Sequence, residues 1–387
     1  VSDILFLAHR VPFPPDRGDR IRSFHVLRHL AARARVHLVA FADCAADVAV
    51  PPAFRALLGE CVVVKRTKSR ARALVEALAS GRPVSLTAFD DARVHVAVAG
   101  VMARHPVGCA YAFSGQMAQY LPTGVRQVMD FVDADSAKFA AYAEGPLAWL
   151  MRREARLLGA YERDVAARVD AALFVSAAEA ALVPGGGVLE NGIDTARFDP
   201  AAAFVPVMGP KSGGGRLVTF TGQMDYRPNV EAVVRFVREV LPVVRARHGD
   251  VRFAIVGRAP TAAVRALASR DVIVTGEVPD VRGWLAASDV VVAPLMLARG
   301  VQNKVLEAMA MARPVVASRA AAEGIDHAGT IRVDDGADAV CAVLDDPAGA
   351  AVLARAARAR AIARYGWDAA LAPLDAIVGL DRARVAA

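Results

Sequence analysis

Lysine is almost missing from this sequence: only 5 of its 47 basic residues are lysine and 42 are arginine. Long apolar runs are missing too. None approaches the roughly 18 residues that a membrane-spanning helix needs. The opening stretch "VSDILFLAHR" has an acid, no basic leader and no small-residue cleavage site after it. It reads as a first strand rather than a signal peptide, which predicts a cytoplasmic protein. The four cysteines (Cys44, Cys61, Cys109 and Cys341) lie far apart, with no CxxC pair and no histidine at metal-ligand spacing. This argues against a disulfide framework or a zinc site and for small buried hydrophobes in a reducing compartment. A G-x-G-x-x-G between strand and helix is also lacking. "PGGGV" (184–188) and "SGGG" (212–215) precede strands or sit in linkers, which weighs against a two-domain dehydrogenase.

What is present suits a globular chain of 387 residues, 55% hydrophobic and 22% charged, long enough for two or three domains. The net charge of +7 is spread along helices between acids, without a nucleic-acid motif or an aromatic-rich basic face, so no nucleic-acid partner is expected. The cluster "KRTKSRAR" (65–72) and the mixed stretch "LAWLMRREARLL" (147–158) are the places where an anionic membrane surface would be touched. Solvated and core-facing helices are the plainer reading of both.

Short buried strands alternate with helical patterns along both halves, which implies parallel βαβ units with both sheet faces covered. Residues 1–200 read as one domain and 201–215 as a Pro/Gly-rich linker. Residues 216–365 read as a second domain, and 366–387 as a C-terminal helix packing back on the first. Pro228 to His248 reads as one long helix opened by its proline. The expected architecture is α/β, with two doubly wound Rossmann-like domains facing across a cleft.

In such sheets ligands bind beyond the carboxyl ends of the strands. One loop there leads into "RGVQNKVLEAMAMARPVVAS" (299–318). A helix starting near Val301 would aim free backbone N–H groups at an anion. Lys304, one turn in, supplies a point charge for phosphate. Glu307 cannot bind phosphate, but its carboxylate can accept hydrogen bonds from a vicinal diol such as a ribose. Together they fit a nucleotide with a diphosphate. The alternative is an ordinary i, i+3 ion pair worth a few tenths of a kcal/mol.

"KVLEAMAMARPVVAS" is similar to the signature helix and strand of the GT-B-fold glycosyltransferases of family 4 (group 1). "ENGIDTARFDP" resembles that family's inter-domain motif, and "TGEVPDVRGWLAASDVVVAPL" the segment before its signature. "DFVDADSAKF", "MDYRPN" and "ARGVQNKVLEAMAM" resemble the sugar transferases associated with exosortase/PEP-CTERM loci. The likeness runs from about Ile4 to Trp367. It implies transfer of a sugar from a nucleotide-diphosphate sugar, with retention, to a glycan or polyprenyl-diphosphate-linked acceptor at the inner membrane face in exopolysaccharide synthesis. It implies no obligatory metal and no cofactor beyond the donor.

On this likeness Lys304 and Asp133 are the catalytic candidates. Glu307, Arg227, Gly222, Arg299, Gln302, Asn303 and Gly18 are the donor and diphosphate candidates. Asp133 is preferred over Asp130 and Asp135 for orienting a hydroxyl, with Asp135 read as a helix cap. Arg299 stands where the family has a glutamate and Gln223 where it commonly has an arginine. This moves phosphate neutralisation onto Lys304, Arg227 and Arg299, and an arginine at 299 suits an acidic donor sugar. Ala312 replaces the family's glycine before "PVV", a change expected only to tighten helix–strand packing. Asn191 and Gly192 would shape the inter-domain crossover. A sugar-nucleotide epimerase of the same fold and a silent nucleotide-sugar-binding protein are the rival readings.

Overall fold

Strands rich in valine, leucine and phenylalanine, buried on both faces, can only be accommodated in sheets sandwiched by helices. The computed structural model describes residues 2–15, 18–146, 148–207, 215–298 and 301–380, and within them the strands build two sheets. The first contains β1 (Asp3–Ala8), β2 (Val36–Ala42), β3 (Cys61–Lys65), β4 (Val107–Phe113), β5 (Arg126–Val132), β6 (Ala171–Phe174) and β7 (Gly186–Val188). All pairings are parallel, in the order β3-β2-β1-β4-β5-β6-β7. The second contains β8 (Arg216–Thr221), β9 (Val251–Val256), β10 (Val272–Gly276), β11 (Val290–Ala293), β12 (Val315–Ala317) and β13 (Arg332–Val333), also parallel, in the order β10-β9-β8-β11-β12-β13. In each sheet the order reverses beside the first strand, between β1 and β4 and between β8 and β11. Such a reversal opens a crevice at the carboxyl edge.

The chain divides into one unit of residues 1–190 and 371–387 and a second of 191–370. The segment 191–200, assigned by sequence to the first domain, therefore belongs to the second unit. Ile193 and Phe198 join that unit's core, and Ile193 N donates to Tyr365 O at 2.6 Å. Gly192 lies so close to Trp367 that a Cβ there would meet the indole at 2.6 Å. The residues expected to shape a crossover are thus packed into the second unit. The Leu374–Val378 helix belongs to the first unit. Its Asp375 is bonded by His29 Nε2 and Arg33 Nε, both at 2.9 Å, and Arg126 Nε donates to Ile377 O.

The single helix expected over 228–248 is interrupted. An α-helix Arg227–Arg235 runs into a π-helical turn Phe236–Val240 and then an α-helix Leu241–Arg247. Pro242 explains the interruption, because it has no N–H for residue 238 and its ring would crowd that carbonyl. A wider turn relieves both. Phe236 in that turn still reaches the core, 4.5 Å between ring centres from Phe253.

Candidate functional site

In the second unit the loops leaving β8 and β11 converge. The helix that follows β11 spans Asn303–Ala310, with Gln302 as its N-cap and Val305, Leu306, Ala308, Met309 and Ala310 buried. It begins two residues later than the sequence suggested. Its apolar side packs against the sheet, which leaves Lys304 and Glu307 half-buried toward the carboxyl edge. Lys304 Nζ donates to Asn229 Oδ1 at 2.6 Å and lies 4.7 Å from the centre of the ring of Phe220, the next-to-last residue of β8. Asn229 is itself held, donating from Nδ2 to Gln223 O at 2.8 Å.

Glu307 makes no ion pair or hydrogen bond with its side chain among the described residues; Lys304 and Arg197 act on it only through their fields. The i, i+3 ion pair is therefore not formed. Burial pulls the Lys304 ammonium down to about 8, against the opposing charge of Glu307. Burial pushes the Glu307 carboxyl up to about 7, against Lys304 and Arg197. Two groups displaced toward neutrality on one helix turn at a carboxyl edge make this a candidate ligand site. Thr221 Oγ1 and Asn303 Oδ1 are also buried and without a hydrogen-bond partner among the described residues.

The backbone here is equally specific. A Cβ on Gly222 would stand 2.9 Å from Asn229 Nδ2 and 3.5 Å from Lys304 Nζ, and one on Gly257 would lie 1.6 Å from Gly222 O. The two post-strand loops touch through glycine, which brings Arg258 to Gln223, Nη2 to Oε1 at 3.0 Å. Gln302, Asn303, Lys304, Glu307 and Gly222 are thus brought together. Arg227 opens its helix exposed, with its Nε on Glu231 Oε1 at 2.7 Å. Arg299 lies outside the described residues. Asn229, Phe220, Gly257 and Arg258 were not singled out in advance. The glycine and arginine of "VGRAPT", directly after a buried strand, and Asn229, the last residue of "MDYRPN", carried a local signal.

In the first unit Gly18 starts the Gly18–Ala31 helix, exposed, with open space where a Cβ would stand. Asp130, expected at the edge, is inside β5 and fully buried. It takes Arg22 Nε at 3.0 Å and Nη2 at 3.2 Å, Tyr111 OH at 2.7 Å and Val132 N at 3.1 Å. Val132 adopts φ +72°, an uncommon state for a β-branched residue, and the chain turns there so that Asp133 is exposed. Asp135 opens the Asp135–Ala141 helix and does not cap it. It lines a cavity of about 380 Å³ with Ser85, Gln116, Lys138, Phe139, Tyr142 and Met151. Gln116 Nε2 donates to Asp135 at 3.3 Å. Burial raises the Asp135 pKa, with Lys138 and Gln116 opposing.

His9 contacts Asp19 at 3.3 Å, and His25 contacts Arg28 at 3.3 Å. Asp3, His37 and His105, distant in sequence, bring possible ligand atoms within 4.8 Å of one another. His37 Nδ1 accepts from Glu60 N at 2.9 Å, which leaves its proton on Nε2, facing Asp3 at 2.9 Å. A metal at Nε2 would have to displace that proton and leave an imidazolate, so the trio is better suited to hydrogen bonding than to ligation.

Residues 215–351 match the family model "Glycosyl transferases group 1". No curated protein matches the sequence. Among solved structures the chain resembles sucrose-phosphate synthase from Thermosynechococcus elongatus (TM-score 0.68, 16% identity, 100% of both chains covered). It also resembles Anabaena HepE in complex with UDP and glucose (TM-score 0.63, 15% identity, 97% of this chain and 98% of that one). A third likeness is to WaaG, a glycosyltransferase involved in lipopolysaccharide biosynthesis (TM-score 0.62, 17% identity, 97% and 100%). At these identities the likeness establishes fold, two parallel-sheet Rossmann-like domains of GT-B type. A group 1 glycosyltransferase domain over residues 215–351, set within that fold, supports the chain as a glycosyltransferase.

Proposed function

We propose that this glycosyltransferase moves a sugar from a nucleotide-diphosphate sugar to a glycan or lipid-linked acceptor, as a retaining hexosyltransferase in exopolysaccharide synthesis at the inner membrane face. The observation that carries the donor half is Glu307. A half-buried carboxylate without a partner among the described residues, one turn from an ammonium parked on an amide, asks for a ligand with a diol and an anion. Solved relatives of HepE type hold UDP, UDP with glucose, or UDP-glucose, which supports a uridine nucleotide here.

In this reading Lys304 leaves Asn229 for the departing diphosphate, and the N–H groups at Gln302–Asn303 and the Gly222 loop approach the same oxygens. Preorganised positive charge at a leaving group stabilises the transition state where charge develops. Arg258 takes the second cationic role given by sequence to Arg227. Asp135 and Gln116, with the Phe139 and Tyr142 rings, form the acceptor's cavity. Asp135 takes the hydroxyl-orienting role first given to Asp133.

Isothermal titration with UDP, GDP, ADP and NAD tests the donor site. UDP should bind and Glu307→Ala should weaken it at least tenfold. NAD binding alone, or UDP binding unchanged by that substitution, would overturn the assignment. Incubation of a UDP-sugar with a polyprenyl-linked acceptor, followed by NMR of the anomeric linkage, tests transfer and retention. Sugar isomerisation without an acceptor would mean an epimerase instead.

A further inference from the structure

At the opposite, amino edge of the second sheet lies a separate cavity of about 290 Å³, lined by Arg216, Ser288, Asp289, Ala312, Arg313, Pro314, Val343, Leu344, Pro347, Ala350, Ala351, Ala354 and Arg355. Arg216 is the first residue of β8, and Asp289 and Pro314 immediately precede β11 and β12. None of these positions belongs to the carboxyl-edge site.

Two of its arginines lack an acidic partner among the described residues. Arg313 is half-buried, yet meets only backbone carbonyls at long range, Met311 O at 3.3 Å and Ser288 O at 3.4 Å. No carboxylate comes within ion-pair distance of it among the described residues. Burial holds its pKa below the usual arginine value, with Asp289 the opposing charge. Asp289 does not pair with it directly; its Oδ2 accepts from Leu217 N at 2.7 Å. Arg355 is exposed and makes no hydrogen bond or ion pair among the described residues. Arg216 is partly committed, with Nη1 on His248 Nδ1 at 2.7 Å and Asp250 at 3.6 Å.

A guanidinium taken out of water without an anion is costly, and a phosphate is the anion its fork fits best. The first turn of the 19-residue Pro347–Tyr365 helix also lines the cavity and adds a weak positive field. The rest of the wall is apolar: Val343, Leu344, Pro347 and Ala351 offer nothing to a bare ion and surface to a carbon skeleton.

We infer that this cavity is a second ligand site, for a small organic phosphate whose dianionic head sits on Arg313 and Arg355 and whose body lies on Val343, Leu344 and Pro347. The site is independent of the donor nucleotide. It meets the helix that carries Lys304 and Glu307 at that helix's far end, through Ala312 and Arg313.

Phenyl phosphate, inorganic phosphate and sodium sulfate at matched ionic strength are the probes, read by thermal shift and by titration calorimetry. Phenyl phosphate should raise Tm and bind at least tenfold more tightly than inorganic phosphate. Arg355→Gln, a surface change that leaves the fold alone, and Arg313→Gln should each abolish that preference. Glu307→Ala should leave it intact, and saturating UDP should not compete. Equal response to inorganic phosphate or sulfate would overturn the inference, as would phenyl phosphate binding that survives Arg355→Gln or is displaced by UDP. Loss of UDP binding in Glu307→Ala reports only on the donor site, so the two assignments fail separately.

Discussion

Each unit buries a charge pair near the carboxyl edge of its sheet, and the two pairs are handled in opposite ways. In the first unit Arg22 grips Asp130 with two nitrogens, and Tyr111 and the Val132 amide occupy the remaining oxygen directions. In the second unit Lys304 and Glu307 do not pair at all. The ammonium has an amide and a ring face, and among the described residues the carboxylate has only distant charges. A buried charge satisfied from inside belongs to the architecture, whereas one left short of partners is what the proposed donor reading assigns to a ligand.

Removing Arg22 should produce the largest effect. Arg22→Ala strands Asp130 and should destabilise the protein by about 3–5 kcal/mol in urea unfolding. UDP affinity in the fraction still folded should be unchanged; a specific loss of nucleotide binding would erase the distinction.

Glu307→Ala should do the reverse. Loss of hydrogen bonds from a charged group, about 1.5–3 kcal/mol, should weaken UDP about ten- to hundredfold by calorimetry. Tm without ligand should hold or rise.

A smaller effect concerns pH. Glu307 titrates near 7 folded against 4.5 unfolded, so the folded state holds the extra proton and its stabilisation fades as pH rises through 7. Lys304 titrates near 8 folded against 10.5 unfolded, so its contribution is present only above that range and is lost as pH falls through 8. Together they place a dip in unliganded stability between pH 7 and 8, where both groups are charged and UDP should bind best. Tm profiles should lose the acid limb in Glu307→Gln and the alkaline limb in Lys304→Met. Limbs that persist would return both groups to ordinary titration.

The smallest effect lies at Ala312. It sits at φ +50° past the end of the Asn303–Ala310 helix, a position where glycine avoids a Cβ clash. The residue is therefore strained, which corrects the expectation that it merely tightens packing. Ala312→Gly should stabilise by about 1 kcal/mol, measured by denaturant midpoint. A loss would mean its methyl contributes more to packing than the strain removes.

Much of this was legible in the sequence because buried parallel strands and their helices leave periodic apolar runs. The helix of Lys304 and Glu307 stood out for the same reason, together with the scarcity of lysine. What was not legible depends on tertiary proximity. Asn229 is 75 residues from the lysine it holds, and Arg258 reaches Gln223 only because Gly257 lets two loops touch. Asp130 looked like an edge carboxylate because nothing local reveals that β5 runs on to Val132 or that Arg22, 108 residues away, is waiting for it. The pairing of Arg313 with Arg355 around one cavity is likewise invisible along the chain.

The Lys304–Asn229 contact also bears on kinetics. On the proposed donor reading, an ammonium with an internal amide to return to is not left bare when a diphosphate departs, so dissociation would not pass through a stranded charge. That would lower the barrier to product release at the expense of equilibrium affinity. Removing the amide, as in Asn229→Ala, should lengthen the residence time of the nucleotide product and make its escape the slow step of turnover.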